Sequence, residues 1–370
     1  MKKKKVLFIL HYSPPVHGAS KVGDSILNSN IIKDAYNSKF IKIKSSQNLN
    51  EIGKFSLFKL YYLIELFFKI SISLLLFRPK VIYYTMSPSG FAFFRDVIMQ
   101  LPIKVYAFFT KTKIYFHYHA RGINNFVSDS KLKLSLTNFV TSKVYLIFIS
   151  ELLKTDIKKL NRYKDVFFIP NGVENTLTNK EFNNILESRT SNTQIRILYL
   201  SNMIKEKGYD VVLQIAKQLK NLNNHNIKID FAGGWSSEED QLFFKSYVEE
   251  HKLNDIIHYH GLVLGKQKKE LFSNSSLFIF PSSYRHEVFP LSILEALSYG
   301  LPILSFRIGA TPEIINNKIG ILTNKDFIFD DLNKMIENYQ NKTVYQRCRN
   351  EFLNHYTVEM FEKNLVKILR

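Results

Sequence analysis

The chain has 370 residues, of which 45% are hydrophobic and 22% are charged, and its formal net charge is +19. This length and composition exclude a disordered or fibrous protein and favour two globular domains of ordinary size. A single cysteine, Cys348, excludes an internal disulfide and fits a reducing compartment.

The chain begins with a basic head and a short apolar run, MKKKKVLFIL. A secretory signal needs an apolar run of roughly 7–15 residues, and here only VLFIL precedes His11. We therefore expect a first buried β-strand rather than a signal peptide.

The segment that most resembles a membrane span is LYYLIELFFKISISLLLF, residues 60–77. It carries Glu65 and Lys69, and a charged residue at the centre of a span costs about 2.5–3.5 kcal/mol on insertion scales. The pattern favours a buried or half-buried helix of a soluble domain over a spanning helix. A helix that also touches a bilayer is the alternative.

Nearly all of the excess positive charge lies in the first half of the chain. Residues 1–180 contain 28 Lys and Arg against 10 Asp and Glu, whereas residues 181–370 contain 23 against 22. In residues 89–113, aromatic and aliphatic side chains are mixed with scattered Lys and Arg. This mixture suits the headgroup boundary of an anionic membrane, although core helices with a basic solvent-facing side would give a similar pattern. We expect membrane contact.

Short β-branched or aromatic runs alternate with helical patterns, which indicates parallel sheets covered on both faces. In the first half the predicted strands are 5–10, 40–45, 81–85, 113–119, 145–150 and 166–170. In the second half they are 195–200, 227–232, 256–260, 277–281 and 302–306. A stretch rich in Asn, Thr and Ser, residues 171–194, is predicted to link the two series.

The two series predict an α/β protein of two Rossmann-like domains whose parallel sheets face a central cleft, the natural ligand site. We place the first domain at 1–175 and the second at 190–355. The G-x-G-x-x-G fingerprint and the P-loop are both missing, which argues against an NAD enzyme or a P-loop ATPase. A helix N-terminus can still hold a phosphate, because its N–H groups and its dipole attract anions.

The segment RHEVFPLSILEALSYGLPI, residues 285–303, has the pattern of a loop followed by a helix. Pro290 suits the first turn of a helix and Gly300 suits its end. Glu287 would lie in the loop and Glu295 inside the helix, where a carboxylate needs hydrogen-bond donors. The hydroxyl groups of a ribose could supply them. Alternatively, Glu295 caps a neighbouring loop and Glu287 is a surface residue.

This segment resembles the donor site of the retaining glycosyltransferases of family 4, which have the GT-B fold. The shared feature is two glutamates separated by seven residues, in EVFPLSILEALSYGLP. Five more segments resemble the family in order and spacing: SPPVHGASK (13–21), FIPNGVE (168–174), YLSNMIKEKGYD (199–210), GATPEII (309–315) and HYTVEMFEKNLVKIL near the C-terminus. The last resembles a closing helix, so residues 356–370 are expected to pack back on the first domain.

The resemblance implies a role for each matching residue. Glu287 would contact hydroxyls of the donor sugar, Glu295 would bind the nucleotide ribose, and Lys207 would neutralise the diphosphate. His119 would lie beside the reacting sugar, and Gly18 would let the backbone approach the donor. A backbone turn would cradle the sugar and the diphosphate, and it is formed by Val288, Phe289, Pro290 and Leu291.

The chain departs from the family pattern at Ser201-Asn202, where the family usually has Gly-Arg. Asn202 can donate hydrogen bonds to the diphosphate but carries no charge. Either Lys207 and the helix dipole suffice, or another cation such as Lys205 or Arg285 contributes.

Two pairs of histidines raise the question of zinc. His117 and His119 lie on one strand face, as do His258 and His260. Neither pair has a Cys or carboxylate nearby at ligand spacing, so core or substrate-facing histidines are expected. The resemblance implies no metal and no cofactor other than the nucleotide sugar as donor substrate.

The resemblance implies a hexosyltransferase-type, retaining, metal-independent glycosyltransferase of cell-surface polysaccharide synthesis. Its expected partners are a nucleotide sugar, a glycan or lipid-linked glycan acceptor and an anionic membrane surface, but no nucleic acid. It would be cytoplasmic and peripheral on the inner face of the cell membrane. The alternatives are another GT-B enzyme, such as a sugar-nucleotide epimerase or an inverting transferase, and a basic nucleic-acid-binding protein, although no RNA or DNA motif is present.

Overall fold

The computed structural model describes residues 3–14, 18–44, 57–222 and 226–370. Part of the predicted acceptor-side loop, residues 15–17, and the last residue of the predicted strand 40–45 lie outside these ranges. The chain divides into two compact units. Unit 1 is Met1–Gly172 with Val358–Arg370, and unit 2 is Val173–Thr357.

Unit 1 is built around one sheet of six parallel strands, in the order β2-β1-β3-β4-β5-β6. The strands are β1 (Lys4–Leu10), β2 (Tyr36–Lys42), β3 (Val81–Thr85), β4 (Lys113–Tyr118), β5 (Tyr145–Phe148) and β6 (Asp165–Phe168). The helices are α1 (Gly18–Asn28), α2 (Asn30–Ala35), α3 (Leu57–Phe77), α4 (Gly90–Thr110), α5 (Ile123–Ser128) and α6 (Lys131–Thr141), and a 3₁₀ segment covers Glu151–Ile157.

Strand β2 begins earlier than its sequence pattern indicates, because it is an edge strand. Tyr36 pairs with Lys4 at its start, and Phe40 lies opposite Phe8, with the two rings stacked at 5.2 Å. The three residues after Tyr36 are polar, and an edge strand tolerates them since one of its sides is unpaired. The hydrophobic pattern therefore shows only the second half of the strand.

Unit 2 has a second sheet of six parallel strands, in the order β12-β11-β10-β7-β8-β9. The strands are β7 (Ile195–Leu200), β8 (Ile227–Ala232), β9 (Ile257–Tyr259), β10 (Leu277–Phe280), β11 (Ile303–Phe306) and β12 (Gly320–Thr323). The helices are α7 (Asn179–Ser191), α8 (Tyr209–Asn221), α9 (Glu238–Glu250), α10 (Gly265–Asn274), α11 (Leu291–Ser298), α12 (Thr311–Ile314), α13 (Ile328–Asn338) and α14 (Lys342–His355), with 3₁₀ segments at Lys205–Lys207 and Leu253–Asp255. The prediction of two Rossmann-like α/β domains is confirmed.

Most of the predicted linker 171–194 is helical, because α7 occupies it. Thr178 and Glu181 form a capping box that satisfies backbone N–H groups at the start of this helix. Phe182, Leu186 and Arg189 form its buried face. Edge strand β12 is a further element that the sequence pattern did not predict.

The last helix, α15 (Val358–Leu369), belongs to unit 1. Its side chains Phe361, Leu365 and Leu369 are part of the unit 1 core. Two tyrosines of that unit, Tyr36 and Tyr115, donate hydrogen bonds to carbonyl groups of this helix. Helix α15 thus packs in the same hydrophobic core as strand β1.

Candidate functional site

The carboxyl ends of β7 and β10 bring two loops together at one edge of the unit 2 sheet. These strands are neighbours and parallel, so the segments that follow them emerge side by side. The backbone N–H of Ser283 donates to the carbonyl of Glu206 at 2.7 Å. Gly208 has a φ of +87°, and a Cβ on it would lie 2.2 Å from the carbonyl oxygen of Pro281. Only glycine allows this approach.

The two loops place Lys207 against Glu287. The Lys207 Nζ donates to Glu287 Oε2 at 2.5 Å, and the two side chains are 16% and 11% exposed. The same ammonium group lies 5.0 Å from the centroid of the Tyr284 ring. The residues predicted to bind the diphosphate and the sugar are therefore adjacent, and each neutralises the other in this structure.

Glu287 leads into α11 through a buried turn. Val288, Phe289 and Pro290 are buried, and Leu291 is half-buried. The carbonyl of Val288 accepts from the N–H of Ala310 at 2.7 Å, which fixes the turn on the segment after β11. Pro290 is the N-cap residue and not, as predicted, a residue of the first turn. Among the described residues no side chain caps this N-terminus, so its first-turn amides can serve an anion.

Glu295 lies on the second turn of α11 and pairs with a residue that sequence reasoning missed. Lys268 of α10 places its Nζ 2.7 Å from Glu295 Oε2, and the two side chains are 24% and 22% exposed. The alternative that Glu295 caps a loop is wrong, because its partner is a side chain on a helix. Lys268 is 27 residues away in the sequence, and nothing in the local pattern distinguishes it from neighbouring lysines.

Two buried arginines support the end of α11. Arg349 donates to the carbonyl of Ser298 at 2.5 Å, and Arg189 donates to the carbonyl of Tyr299 at 3.0 Å. Burial lowers the pKa of Arg189 to about 10, which leaves it charged at neutral pH. Cations at a helix C-terminus stabilise its unpaired carbonyl groups. These residues hold the helix that carries Glu295.

Of the three cations considered for the diphosphate, Lys207 pairs with Glu287, the residue before the turn. Asn202 is exposed at the end of β7. Lys205 does not take the place of the missing arginine in this structure, since its Nζ lies over the Phe243 ring of α9 at 5.4 Å. Arg285 is exposed in the loop before Glu287.

Gly18 and His119 lie at the carboxyl edge of the unit 1 sheet. Gly18 is the exposed first residue of α1, and a Cβ there would meet nothing within 4 Å. His119 follows β4, and its ring centroid lies 4.0 Å from that of His117. His117 is fully buried, with its Nδ1 2.6 Å from the Tyr83 hydroxyl. Burial and the nearby His119 hold the pKa of His117 well below its usual range, so this ring stays neutral.

In the second histidine pair, His260 contacts a carboxylate that is shared with an arginine. His260 Nε2 lies 2.7 Å from Asp230 Oδ1, and the same carboxylate binds the Arg196 guanidinium. Among the described residues, no group of three or more His, Cys, Asp or Glu side chains could hold a metal ion.

The segment that contains this donor-side geometry matches a known family. Residues 181–351 match the family model described as glycosyl transferases group 1. Over these residues, just under half of the chain, the sequence is similar to glycosyl transferases group 1. Glu287, Glu295, Lys207 and Lys268 all lie in the part that matches the group 1 model.

Curated proteins are also similar to part of this chain. The chain is 25% identical over 191 residues to an uncharacterized 41.2 kDa protein in the cps region of Klebsiella pneumoniae, covering 50% of this chain and 48% of that protein. It is 25% identical over 202 residues to O-antigen chain mannosyltransferase B of Escherichia coli, covering 54% and 49%. The chain thus spans about half the length of these curated relatives.

The fold extends over the whole chain. A glycosyltransferase from Rickettsia africae has a TM-score of 0.72 at 16% identity, covering 100% of this chain and 98% of that one. This likeness confirms the predicted GT-B fold.

Proposed function

We propose that this protein is a retaining glycosyltransferase that moves a sugar from a nucleoside diphosphate sugar to an acceptor hydroxyl. The observation that carries the proposal is the Lys207–Glu287 pair beside the N-terminus of α11. A cation and a helix N-terminus suit a diphosphate, and a carboxylate suits the hydroxyl groups of a sugar.

The chemistry requires mainly that negative charge on the leaving group be stabilised. In the reaction the bond between the anomeric carbon and the diphosphate oxygen breaks, and the acceptor oxygen bonds to that carbon on the same face. The hydroxyl proton passes to a phosphate oxygen of the departing nucleoside diphosphate. Lys207 and the α11 amides stabilise that group electrostatically, and for this reason we propose a reaction without a metal ion.

The remaining residues have positioning roles in this proposal. Glu287 holds the sugar hydroxyls rather than acting as a nucleophile, and Glu295 binds the ribose. Asn202 and the turn of Val288 to Leu291 contact the diphosphate. His119 lies beside the reacting sugar, and Gly18 lets the backbone approach the donor, as the resemblance implies.

We propose that the acceptor is a glycan, carried on a lipid, in cell-surface polysaccharide synthesis. The names of the relatives, an O-antigen chain mannosyltransferase and a protein of the cps region, support a surface polysaccharide. Charge supports an anionic membrane as the site of action, because unit 1 has 30 Lys and Arg against 11 Asp and Glu, whereas unit 2 has 21 of each. The enzyme would then work at the cytoplasmic face of the cell membrane.

The test is a panel of UDP-, GDP- and other nucleotide sugars, first for hydrolysis and then with lipid-linked acceptors. We expect one donor to be turned over and the product to keep the anomeric configuration of the donor, as read by NMR. An inverted product would contradict the retaining mechanism. An altered but untransferred sugar nucleotide would indicate an epimerase instead.

A further inference from the structure

Helix α4 exposes an apolar stripe along its whole length. The residues of the stripe are separated by three or four positions, the spacing that lines up one face of a helix. Their exposed fractions run from 39% to 80%, and they are Phe91, Phe94, Ile98, Leu101, Val105 and Phe108. A surface helix of a water-soluble domain normally points this kind of stripe toward the core.

The charged residues of α4 point inward instead. The helix has three of them, Arg95, Asp96 and Lys104. Asp96 is fully buried and pairs with Arg95, and Lys104 donates to the carbonyl of Ser142 at 2.5 Å. Helix α4 thus has apolar side chains on its outer side as well as among its buried residues Phe93, Met99 and Ile103, while its charged side chains are held against the protein.

Helix α3 packs beside α4 and extends this surface. Five of its exposed apolar residues again follow a spacing of three or four, and they are Tyr61, Ile64, Phe68, Ile72 and Leu75. Leu66, Ile70 and Leu74 are buried on its opposite side. Glu65 is neutralised by Lys44 and Lys69, at 3.1 and 2.5 Å. We name the exposed residues of the two stripes together the α3–α4 face.

Exposed basic residues lie at one end of the α3–α4 face. Both helices precede neighbouring parallel strands, so their carboxyl ends meet at the same edge of the sheet. The hydroxyls of Tyr106 and Thr112 donate to the carbonyl of Pro79 there. Four exposed basic residues follow the two helices, and they are Arg78, Lys80, Lys111 and Lys113.

We propose that the α3–α4 face docks on an anionic lipid bilayer, with both helices lying along the membrane surface. Apolar side chains then enter the boundary between headgroups and acyl chains, while the basic residues meet lipid phosphates. The charge of unit 1 favours this occupant over a second copy of the chain, because two faces with the same basic rim would repel each other.

Docking along the surface fits α3 better than crossing the bilayer. Among the described residues one helix, over Leu60–Phe77, is long and apolar enough to span a membrane, and 22% of that window is buried. Its inner residues pack into unit 1, so spanning would expose the core of the unit. This inference rests on the proposed function only for the membrane location of the acceptor.

The test is co-sedimentation of the full chain with vesicles, either of phosphatidylcholine alone or with about a third phosphatidylglycerol. We expect binding to the anionic vesicles that weakens as salt is raised. The double variant Phe108→Ser with Phe109→Ser removes two residues that are 77% and 78% exposed. We expect its vesicle affinity to fall about tenfold or more, with unchanged circular dichroism.

A control variant removes two exposed apolar residues from unit 2. Leu222 and Leu242 are 66% and 65% exposed, and we expect Leu222→Ser with Leu242→Ser to bind vesicles as the parent does. As a second readout, we expect brominated acyl chains to quench the tryptophan fluorescence of a Phe108→Trp variant. The parent chain, whose one tryptophan is Trp235 in unit 2, gives the background.

Two results would overturn the docking proposal: a parent chain that ignores anionic vesicles, or a Phe108/Phe109 variant that binds them equally well. A parent dimer that this variant dissociates, without vesicle binding, would assign the face to a second copy. Vesicle binding is measured independently of sugar transfer, so the docking proposal and the proposed function can each fail without the other. Binding without turnover of any donor would contradict the proposed function, and turnover with soluble acceptors but no binding would contradict docking.

Discussion

Each of the two glutamates proposed to grip the donor is paired with a lysine in this structure. A half-buried carboxylate without a partner would be costly, and pairing removes that cost. The charges of the donor site cancel within two ion pairs, Lys207 with Glu287 and Lys268 with Glu295. On the proposed mechanism the diphosphate takes over Lys207, and Glu287 turns to the sugar hydroxyls.

We expect Lys268 to position Glu295 for the ribose, and the variant Lys268→Met tests this. Without its partner, Glu295 is free to adopt other rotamers, so the KM for the donor should rise about threefold to tenfold while kcat changes less than about twofold. The measurement is steady-state transfer with the donor that the panel selects.

The matched controls for that variant are Lys268→Arg and Lys266→Met. Arginine keeps the positive charge and should restore most of the affinity. Lys266 lies on the same helix, is 91% exposed and has a different partner, Glu270, so its loss should leave the KM unchanged. An equal fall in kcat for Lys268→Met, or an unchanged KM, would refute the positioning role.

The sequence could indicate Glu287, Glu295 and Lys207 because the short segments that contain them resemble the family pattern. It could not indicate Lys268 or Arg349, since their contacts depend on how α10 and α14 pack. It also did not show that Lys207 pairs with Glu287, because 80 residues separate them in the chain. Pairing between side chains on different elements is decided by the tertiary fold.

At the level of elements, the site depends on the close approach of the loops after β7 and β10. Gly208 makes that approach possible, through both its positive φ and its missing Cβ. Strand–loop units of this kind were predictable, since the strands that carry the site follow clear hydrophobic runs. Helix α7 was not predictable in the same way, because its Asn and Ser content obscured the spacing of Phe182, Leu186 and Arg189.

We expect Gly208→Ala to destabilise the protein by about 2 kcal/mol, from backbone strain and the contact with Pro281. Turnover should fall as well, since the shift separates Lys207 from Glu287. Urea unfolding and transfer assays measure the two effects. Gly234→Ala is the control, because a Cβ there meets nothing within 4 Å. Equal stability of the two variants would contradict the close approach.

Lys104 on helix α4 should make the free energy of unfolding depend on pH. Burial, with a smaller contribution from the charge of Lys143, lowers the pKa of Lys104 to about 8 from its ordinary value of 10.5. The unfolded chain therefore binds more protons than the folded chain between these two values, and stability rises with pH across that window.

The variant Lys104→Met should remove this contribution. Urea unfolding at pH values near 8 and near 10, for the parent and for the variant, measures the slope. Since other lysines titrate in the same range, the quantity that decides is the difference between the two slopes. Identical slopes would contradict a buried Lys104.

At the level of the whole molecule, the net charge lies in one of the two units. Unit 1 carries the entire net charge of +19, and unit 2 is neutral. The asymmetry was visible in the sequence, but its relation to the α3–α4 face was not, because a hydrophobic period does not say which side of a helix faces the core. On these two proposals, the basic unit 1 binds the membrane and the neutral unit 2 binds the donor.

The central claim is that Glu287 grips the sugar of the donor, and the rate of transfer by Glu287→Gln tests it most directly. Glutamine keeps the size of the side chain but loses the charge, so we expect turnover to fall about 100-fold with an unchanged melting temperature. Glu239→Gln, an exposed site on α9, is the control and should transfer at the parent rate. If Glu287→Gln also transfers sugar at the parent rate, the account of the site is wrong.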